Sequence, residues 1–499
     1  MKKILLAFLS FLSFTSINAQ TLPGTYTKTS TVTGLQYPSD FDWLPDGRYI
    51  VTQKGGASAT TANATIKLFK SDGSAIGTFY DLTDSVDANG EHGLHGIAVD
   101  PDFNNNHYIY AYYTYINKSK TVRALRVVRF TEAGNVGTNP TNILNHVYTP
   151  TTPYHIGGII RFRPKEPKKL YIQIGELAYE QSDPSKNFAN KLNSPYGKIL
   201  RINSDGTIPT DNPFYDDGNP LTKNDDRIWS YGHRNSFGMC FNPVTDSMYA
   251  SENGLNTWDE FNIIHKGGNY GWATCEGDYM NGSTTNPCNN SAFVKPLTTW
   301  GAPLPAVTGC VFYSGSVLSE FNNHILVADN DLGVLYDLTM GNAPAYDVVT
   351  NKKAFADLTP GSSAGGLTAV RQGADGCIYA MKGGYTTTGE IYKICHTSVG
   401  TNSIEGAINE LGQNYPNPVS GKTQIDYQIG QTSYVTITLV DITGRIVRTF
   451  MNTEVQPGKH TLEINDLSAL PNGSYFYKMD VQQKDKIAFT QTKRMMVIN

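Results

Sequence analysis

The stretch Phe41-Asp42-Trp43-Leu44-Pro45-Asp46-Gly47-Arg48-Tyr49-Ile50-Val51 decides the fold. It has an aromatic, apolar segment, then a Pro-Asp-Gly turn, then a second apolar segment. Short apolar segments on either side of residues that accept left-handed or proline-restricted backbone geometry are typical of two antiparallel β-strands. A small sheet of this kind needs an apolar cover on its faces, so we expect further copies to pack against it.

The same strand-turn-strand core recurs along the chain. The six copies begin at Phe41, Ile97, Ile159, Met239, Cys310 and Leu367. Radial repetition of small antiparallel sheets is the β-propeller architecture. We therefore expect an all-β protein whose residues 20–395 form a six-bladed β-propeller. Because the copies are irregularly spaced, a pair of β-sandwiches is the alternative.

The composition agrees with many short strands and excludes two broad classes of protein. The 499 residues include 47 glycines, 25 prolines and 30 tyrosines, a mixture that favours strands joined by turns over long helices. Charged residues make up 17 % and the formal net charge is −4. This balance excludes a basic nucleic-acid-binding protein and a charge-driven disordered chain.

The N-terminus predicts export. Residues 1–19 have two lysines, an apolar run from Ile4 to Phe14, and a small residue, Ala19, before Gln20, as in a secretory signal peptide. A membrane anchor is the weaker alternative, because the run is much shorter than the roughly 20 residues that a span needs. No other segment is long enough to span. The chain should therefore be secreted or held at the cell surface.

The six cysteines of an exported chain allow three disulfides in any pairing. Cys275 with Cys288 is the favoured pair, because it closes a loop rich in Gly, Asn and Thr. No pair has CxxC spacing, so neither a zinc site nor a redox motif is indicated.

The sequence changes character after Cys395. Residues 396–413 read as a linker, and residues 414–499 alternate apolar and polar residues as half-buried strands do, which predicts a small β-sandwich. Tyr415-Pro416-Asn417-Pro418, the segment from Leu470 to Tyr477 and the terminal Lys493-Arg494-Met495 resemble the C-terminal sorting domain of the type IX secretion system. That resemblance implies export across an outer membrane by the secretion machinery, usually with removal of the domain. An adhesive or carbohydrate-binding sandwich is the alternative.

Loops of the repeat region resemble the soluble glucose/sorbosone dehydrogenase family, whose six-bladed propellers use pyrroloquinoline quinone (PQQ) and calcium to oxidise sugars. The resemblance covers about residues 38–395. Two stretches in the first half carry it: Gly90-Glu91-His92-Gly93-Leu94-His95-Gly96, and His155-Ile156-Gly157-Gly158 with Ile174-Gly175-Glu176. Two later stretches also carry it: Gly197 to Asn203 with Asp205 to Phe214, and Gly232-His233-Arg234-Asn235 with Ser251 to Trp272. Four long spacers precede or leave inner strands, so we expect them to meet at one mouth of the central channel: Asn89 to Gly96, Thr151 to Gly158, Ile228 to Phe237 and Ser251 to Trp272.

Two residues are candidates for proton transfer. Oxidation of a sugar hydroxyl needs a base, and histidine titrates near the operating pH. The resemblance implies that His155 is the general base and that Glu176 orients it, one carbon longer than the usual Asp. In the alternative interpretation, His155 is bonded to a turn carbonyl.

Three further residues are candidates for binding the cofactor. Arg234 and Asn235 offer a planar cation and an amide, which suit an acidic quinone, because guanidinium binds carboxylate bidentately. The resemblance implies that Glu91 occupies the place of a usual Gln near the cofactor. A loop-bracing role is the alternative for Arg234 and Asn235. His92 and His95 have the spacing of a metal pair but lack an evident third ligand.

The loop that follows Ser251 is a candidate calcium site, because backbone carbonyls and carboxylates suit a hard cation. The resemblance implies that Asn253 with the carbonyls of Gly254 and Leu255 holds the catalytic calcium. It also implies that Glu260 and the carbonyl of Tyr270 hold a structural calcium. As an alternative, the acids are solvated turn residues.

Three cations that the family uses to neutralise PQQ are absent here: by position, the chain has Asp331, Gly366 and Thr368. Burying a multiply anionic cofactor without countercharges is costly. Either other basic residues such as Arg371 or Lys382 substitute, or PQQ binds weakly or not at all.

The sequence therefore supports a secreted PQQ- and calcium-dependent dehydrogenase that oxidises an aldose hydroxyl by hydride transfer to the quinone and passes electrons to an external acceptor. The alternative is a non-catalytic secreted propeller that binds a glycan or a protein, which would account for the missing cations. A metal-dependent propeller hydrolase, such as a lactonase, is a third hypothesis.

Overall fold

A computed structural model describes residues 22–56, 63–149, 152–177, 187–360, 366–397, 409–441, 445–483 and 486–498. The chain divides into two compact units, Met1–Thr397 and Ser398–Asn499. The expected signal peptide and most of the expected linker lie outside the described residues. Within the described part of the chain, no helix has the length and apolar composition to cross a membrane.

The first unit is built from short strands. In chain order they are β1 (Tyr26–Leu35), β2 (Pro38–Trp43), β3 (Tyr49–Gln53), β4 (Thr65–Phe69), β5 (Ala75–Asp81), β6 (Leu94–Val99), β7 (Tyr108–Ile116), β8 (Arg123–Ala133), β9 (Val136–Tyr148), β10 (Ile160–Arg163), β11 (Glu166–Ile174), β12 (Lys198–Asn203), β13 (Ile228–Tyr231), β14 (Ser236–Phe241), β15 (Met248–Glu252), β16 (Asp259–Ile264), β17 (Cys275–Glu276), β18 (Tyr279–Met280), β19 (Thr298–Trp300), β20 (Val307–Tyr313), β21 (His324–Asp329), β22 (Val334–Gly341), β23 (Val348–Asp357), β24 (Leu367–Gln372), β25 (Ile378–Lys382) and β26 (Gly389–His396). The described helical segments of this unit are α1 (Phe103–Asn106) and the 3-10 turns Thr83–Ser85 and Ser319–Phe321.

Among the described residues, twenty-four of these strands form six four-stranded antiparallel sheets, and β17 pairs with β18 in a separate two-stranded sheet. Sheets I to V follow the chain: β2 to β5, β6 to β9, β10 to β13, β14 to β16 with β19, and β20 to β23. Sheet VI has the order β1-β26-β25-β24, so the first strand of the chain completes the last sheet. Each predicted strand-turn-strand core is an antiparallel pair, which confirms the pairing expected from the sequence.

Apolar clusters join each sheet to the next and close the sheets into a ring. Five clusters lie between consecutive sheets from I to VI, and a sixth brings Val32, Phe41 and Val51 against Ala369 and Met381, which joins sheet VI to sheet I. Because every sheet is covered on both faces, strands such as β3 and β16 are buried at every residue. This explains why inner strands read as apolar runs and not as alternating patterns.

The second unit has its own core. Its strands are β27 (Glu410–Leu411), β28 (Thr423–Ile429), β29 (Ser433–Val440), β30 (Ile446–Val455), β31 (Gly458–Ile464), β32 (Gly473–Gln483) and β33 (Lys486–Val497). They form two sheets, ordered β27-β28-β31 and β30-β29-β32-β33. Both sheets contribute to one apolar cluster, in which Ile425 of β28 and Ile437 of β29 are fully buried.

Two disulfides are present. Cys275–Cys288 confirms the favoured pair, and Cys377–Cys395 links the residue before β25 to β26. Cys240 and Cys310 are buried free thiols on β14 and β20. The structure therefore has two of the three disulfides that the cysteine count allows.

Candidate active site

A cavity of about 200 Å³ lies at one end of the channel enclosed by the innermost strands. These strands, β2, β6, β10, β14, β20 and β24, contact one another in consecutive pairs around the ring. The cavity is lined by a residue at the start of each innermost strand, in order Ser39, His95, Ile159, Phe237, Thr308 and Thr368. The starts of the six innermost strands therefore lie at this mouth, where the sequence predicted that functional loops would meet.

His155 and Glu176 form the pair that the sequence predicted. His155 Nδ1 lies 2.5 Å from Glu176 Oε1, and the Glu176 side chain is only 1 % exposed whereas that of His155 is 16 % exposed. His155 has a φ of 60°, a left-handed conformation that is costly for a residue other than glycine. Its N–H donates to Glu91 Oε2 at 2.8 Å and its carbonyl accepts from Leu177, which hold the strained backbone in place.

The glycine before Glu176 allows this approach. A Cβ on Gly175 would lie 2.1 Å from the carbonyl oxygen of His155, far inside van der Waals contact. The Gly-Glu dipeptide of the motif is therefore required, since a larger residue would push Glu176 away from the imidazole.

Arg234 determines the tautomer of His155. Its Nη2 lies 3.0 Å from His155 Nε2. A guanidinium can only donate, so Nε2 must be the unprotonated nitrogen, and the Nδ1–H then faces Glu176. This tautomer leaves a lone pair on Nε2, which a general base needs. Burial lowers the pKa of Arg234, whose Nη1 also donates to the Asn253 carbonyl at 2.8 Å.

Glu91 connects its own loop to the loop that carries His155 and to the loop that carries Asn235. Besides the His155 N–H, its Oε2 accepts from Asn235 Nδ2 at 3.0 Å. Asn235 Oδ1 in turn accepts from the N–H of Gly157 at 3.2 Å. The structure therefore brings the predicted catalytic pair and the predicted cofactor-binding residues Glu91, Arg234 and Asn235 into one hydrogen-bonded network at the cavity.

The loop from Asn253 to Trp258 is organised around Glu276, a residue that sequence analysis missed. Glu276 Oε1 accepts the backbone N–H groups of Leu255, Asn256, Thr257 and Trp258 at distances between 2.6 and 3.2 Å. The N–H of Gly254 donates to Asp259 Oδ1 at 2.9 Å. Because carboxylates take up the N–H groups, the carbonyl oxygens of Gly254 and Leu255 are not needed as acceptors within the loop. The available signal was the acid directly after Cys275, in the predicted disulfide loop.

The donor set of this loop fits calcium. Among the described residues, Asn253 Oδ1 and Glu276 Oε2 are buried without a hydrogen-bond partner. Buried oxygens of this kind are costly unless they are paired, and coordination of a hard cation pairs them. The predicted ligands Asn253, Gly254 and Leu255 therefore lie together, directly beside Arg234.

Glu260 and Tyr270, the residues expected at a structural calcium, lie beside the same acids. Burial, together with the nearby carboxylates of Glu252 and Glu276, raises the pKa of Glu260. The Tyr270 ring stacks on His233 with centroids 4.4 Å apart, and His233 Nδ1 lies 2.9 Å from Glu252 Oε2. Three buried acids with few countercharges are the environment in which a divalent cation would be stabilising.

The expected countercharges are missing from the cavity, as the sequence predicted. Asp331 and Thr368 line it. Gly366 packs against Asn330, because a Cβ there would lie 2.2 Å from the Asn330 carbonyl oxygen. These three positions therefore supply no positive charge.

The two residues suggested as substitutes do not reach the cavity. Arg371 lies at the opposite end of the channel, where its Nη2 is 3.3 Å from Asp40 Oδ1. Lys382 is not among the residues that line the cavity, and its Nζ lies 3.4 Å from Thr388 Oγ1. The basic residue that does line the cavity is Lys54, which follows β3 and precedes two glycines, a weak sequence signal.

The histidine spacing in Glu91-His92-Gly93-Leu94-His95 does not make a metal pair. His92 Nδ1 lies 3.1 Å from Asp87 Oδ2, whereas His95 Nε2 bonds the Glu91 carbonyl at 2.7 Å. Burial lowers the pKa of His95 to about 3, so its imidazole is neutral. Each histidine is therefore engaged separately in the loop that carries Glu91.

Both parts of the chain match known families. Residues 35–393 match the model of the Glucose / Sorbosone dehydrogenase family. Residues 413–496 match that of the Secretion system C-terminal sorting domain. Quinoprotein glucose dehydrogenase B of Acinetobacter calcoaceticus is 32 % identical over 266 residues, which cover 49 % of this chain and 52 % of that protein. An aldose sugar dehydrogenase of Escherichia coli is 25 % identical over 369 residues, which cover 72 % of this chain and 90 % of that protein.

The fold has counterparts among solved structures. The PQQ-bound form of aldose sugar dehydrogenase from Streptomyces coelicolor superposes with a TM-score of 0.57 at 25 % identity and covers 75 % of this chain and 99 % of that chain. This likeness confirms the all-β propeller expected from the repeats.

Proposed function

Because the chain belongs to the glucose/sorbosone dehydrogenase family, we propose that it is an exported PQQ- and calcium-dependent dehydrogenase that oxidises a hydroxyl group of an aldose. Family membership supports the oxidoreductase role. The observation that carries the proposal is the tautomer of His155, in which Glu176 faces the Nδ1–H and Nε2 keeps a lone pair.

In this proposal His155 Nε2 takes the proton of the sugar hydroxyl as the C–O double bond forms. Glu176 keeps the imidazole in the productive tautomer and stabilises the imidazolium that results. Arg234 now donates to Nε2, so it must turn away when substrate binds, and a carboxylate of the cofactor is a suitable new acceptor for its guanidinium. Asn235 and Glu91 hold the loop that presents His155.

Bound PQQ would accept the hydride that leaves the sugar carbon, and calcium held by Asn253 with the carbonyls of Gly254 and Leu255 would polarise the quinone as a Lewis acid. The sugar loses a hydride and a proton and becomes a lactone. An external acceptor must then remove both electrons. Glu260 and Tyr270 would hold a second, structural calcium.

The remaining assignments follow the sequence. Residues 1–19 would be a signal peptide, residues 20–395 the propeller, residues 396–413 a linker, and residues 414–499 a sandwich that directs export. The match of residues 413–496 to the sorting-domain family supports delivery to the cell surface or the medium. Cleavage of this domain would release the propeller.

One observation favours a second function. Glu91 and Asp331 line the cavity, and negative charge there opposes an anionic cofactor. A non-catalytic propeller that binds a glycan or a protein at this mouth would tolerate both acids.

Titration of the full chain with PQQ in the presence of calcium, followed by dye-linked oxidation of an aldose, separates the two functions. We expect stoichiometric PQQ uptake and sugar-dependent dye reduction, both needing calcium. His155→Ala should bind PQQ and lose the dye reduction. Absence of PQQ binding at high concentration, with retained glycan or protein binding, would favour the second function.

A further inference from the structure

We propose that Lys54 is the cation that neutralises a carboxylate of the anionic cofactor in this propeller. The inference rests on the proposed function and assigns a role that sequence analysis gave to other basic residues. Among the described residues that line the cavity, Lys54 is the only cationic side chain, since the one histidine, His95, is neutral.

The Lys54 ammonium is held in one place, and its acceptors among the described residues number two. Its Nζ donates to the carbonyls of Gly56 at 2.6 Å and Ala88 at 3.1 Å. An ammonium has three donors, so one N–H remains for a ligand. Nζ also lies 5.3 Å from the centre of the Tyr385 ring, another residue of the cavity lining.

The backbone and the stem of Lys54 are equally fixed. Its N–H donates to Tyr37 and its carbonyl accepts from Leu94. A Cβ on Gly93 would lie 2.4 Å from Lys54 Cγ, so the motif glycine is what allows the stem to pass beneath the Glu91 loop. The residue is 3 % exposed. A buried, pre-positioned ammonium binds an anion without a further loss of side-chain entropy.

The surroundings lower the pKa of Lys54 but leave its ammonium charged at neutral pH. Burial lowers its pKa to about 8, although the carboxylates of Glu91 and Asp87 act in the opposite direction. The other titratable groups that face it are His95 on β6 and Tyr385 after β25. The ammonium form is the one that attracts a carboxylate, so cofactor affinity should fall as the pH rises through about 8 and Lys54 loses its proton.

Calorimetric titration of the full chain with PQQ, in calcium, tests this role through binding and not through activity. Lys54→Met removes the charge and keeps the stem, and we expect its PQQ affinity to fall roughly tenfold to hundredfold. Lys54→Arg should retain most of the affinity. Lys382→Met, which removes the same charge outside the cavity, is the matched control and should bind as the unmodified chain does.

A second measurement tests the role of Lys54 even if the Lys54→Met chain fails to fold, because it uses only the unmodified chain. The PQQ affinity of the unmodified chain is measured from pH 6.5 to pH 9.5, and we expect it to decline above about pH 8. Tight PQQ binding that is unaffected by Lys54→Met, or that is constant across this pH range, would overturn the role of Lys54 and leave the proposed function standing. Failure of the unmodified chain to bind PQQ would overturn both.

Discussion

At the scale of single residues, His155 combines a strained backbone with a side chain whose two nitrogens both have partners. Sequence analysis could identify His155, Glu176, Arg234 and Asn235, because each stands in a local motif. It could not identify Lys54, since the role of this lysine depends on loops that the fold brings around it. The sequence also suggested Arg371 as a substitute for the missing cations. Arg371 lies three residues after Thr368 on the inner strand β24 and therefore faces the other end of the channel.

Glu176→Gln should reduce kcat by roughly a hundredfold or more while KM for the aldose changes little, because the amide cannot stabilise the imidazolium. The control is Asp337→Asn, since Asp337 forms an equally buried pair with His324 outside the cavity, with 2.7 Å between Nδ1 and Oδ1. Steady-state dye reduction measures both. An equal loss of activity in the two variants would argue against a special role for Glu176.

His95 predicts an acid-sensitive step in stability. Its pKa of about 3 lies below the ordinary 6.5, so between these values the unfolded chain binds a proton that the folded chain does not. Stability must therefore fall as the pH decreases through this window. His95→Gln keeps a donor for the Glu91 carbonyl and does not titrate.

The measurement is urea unfolding followed by tryptophan emission at pH 7 and pH 4. All five tryptophans lie between Trp43 and Trp300, so the signal reports the first unit alone. We expect the unmodified chain to lose more stability on acidification than His95→Gln does. Parallel losses would show that His95 does not contribute.

At the scale of elements, the calcium loop owes its shape to an acid from another strand. β17 carries Glu276, and the loop after β15 folds around that carboxylate. The sequence shows the loop and its oxygen-rich composition, but the partner lies about 20 residues further along and no periodicity links the two. For a ligand loop of this kind, the sequence predicts the loop but not the distant carboxylate that shapes it.

Glu276→Ala should release the N–H groups of the loop and weaken calcium binding by roughly tenfold or more, because several buried donors lose one shared acceptor. Calcium calorimetry on the full chain measures the change. Asp278→Ala is the matched control, since Asp278 is half-exposed in the same disulfide loop. Unchanged calcium affinity in Glu276→Ala would show that this carboxylate does not support calcium binding.

At the scale of the whole molecule, the two units have separate cores, because among the described residues the apolar cluster of residues 411–497 contains none from the first unit. A chain ending at Thr397 should therefore keep the tryptophan emission and unfolding midpoint of the first unit.

The repeats predicted the ring correctly from local patterns. They did not predict that β1 completes sheet VI, since β1 and β26 are more than 350 residues apart and share no local signal.

The truncated chain is compared with the full chain by urea unfolding and by PQQ binding. Equal midpoints and equal affinity are expected. A clear loss of either would mean that residues 398–499 contribute to the stability or the site of the first unit.

The pairing of β1 with β26 also sets the order in which the molecule can form. A nascent or translocating chain emerges N-terminus first. Tyr26 therefore cannot pair with His396, and β1 cannot hydrogen-bond to β26, until almost the whole first unit has emerged. Contacts of such long sequence separation make closure the slow, late event of folding. Until then the ring is an open arc with an unpaired strand at each end, and such edges invite intermolecular pairing. A chaperone or a confined export route would protect this arc best.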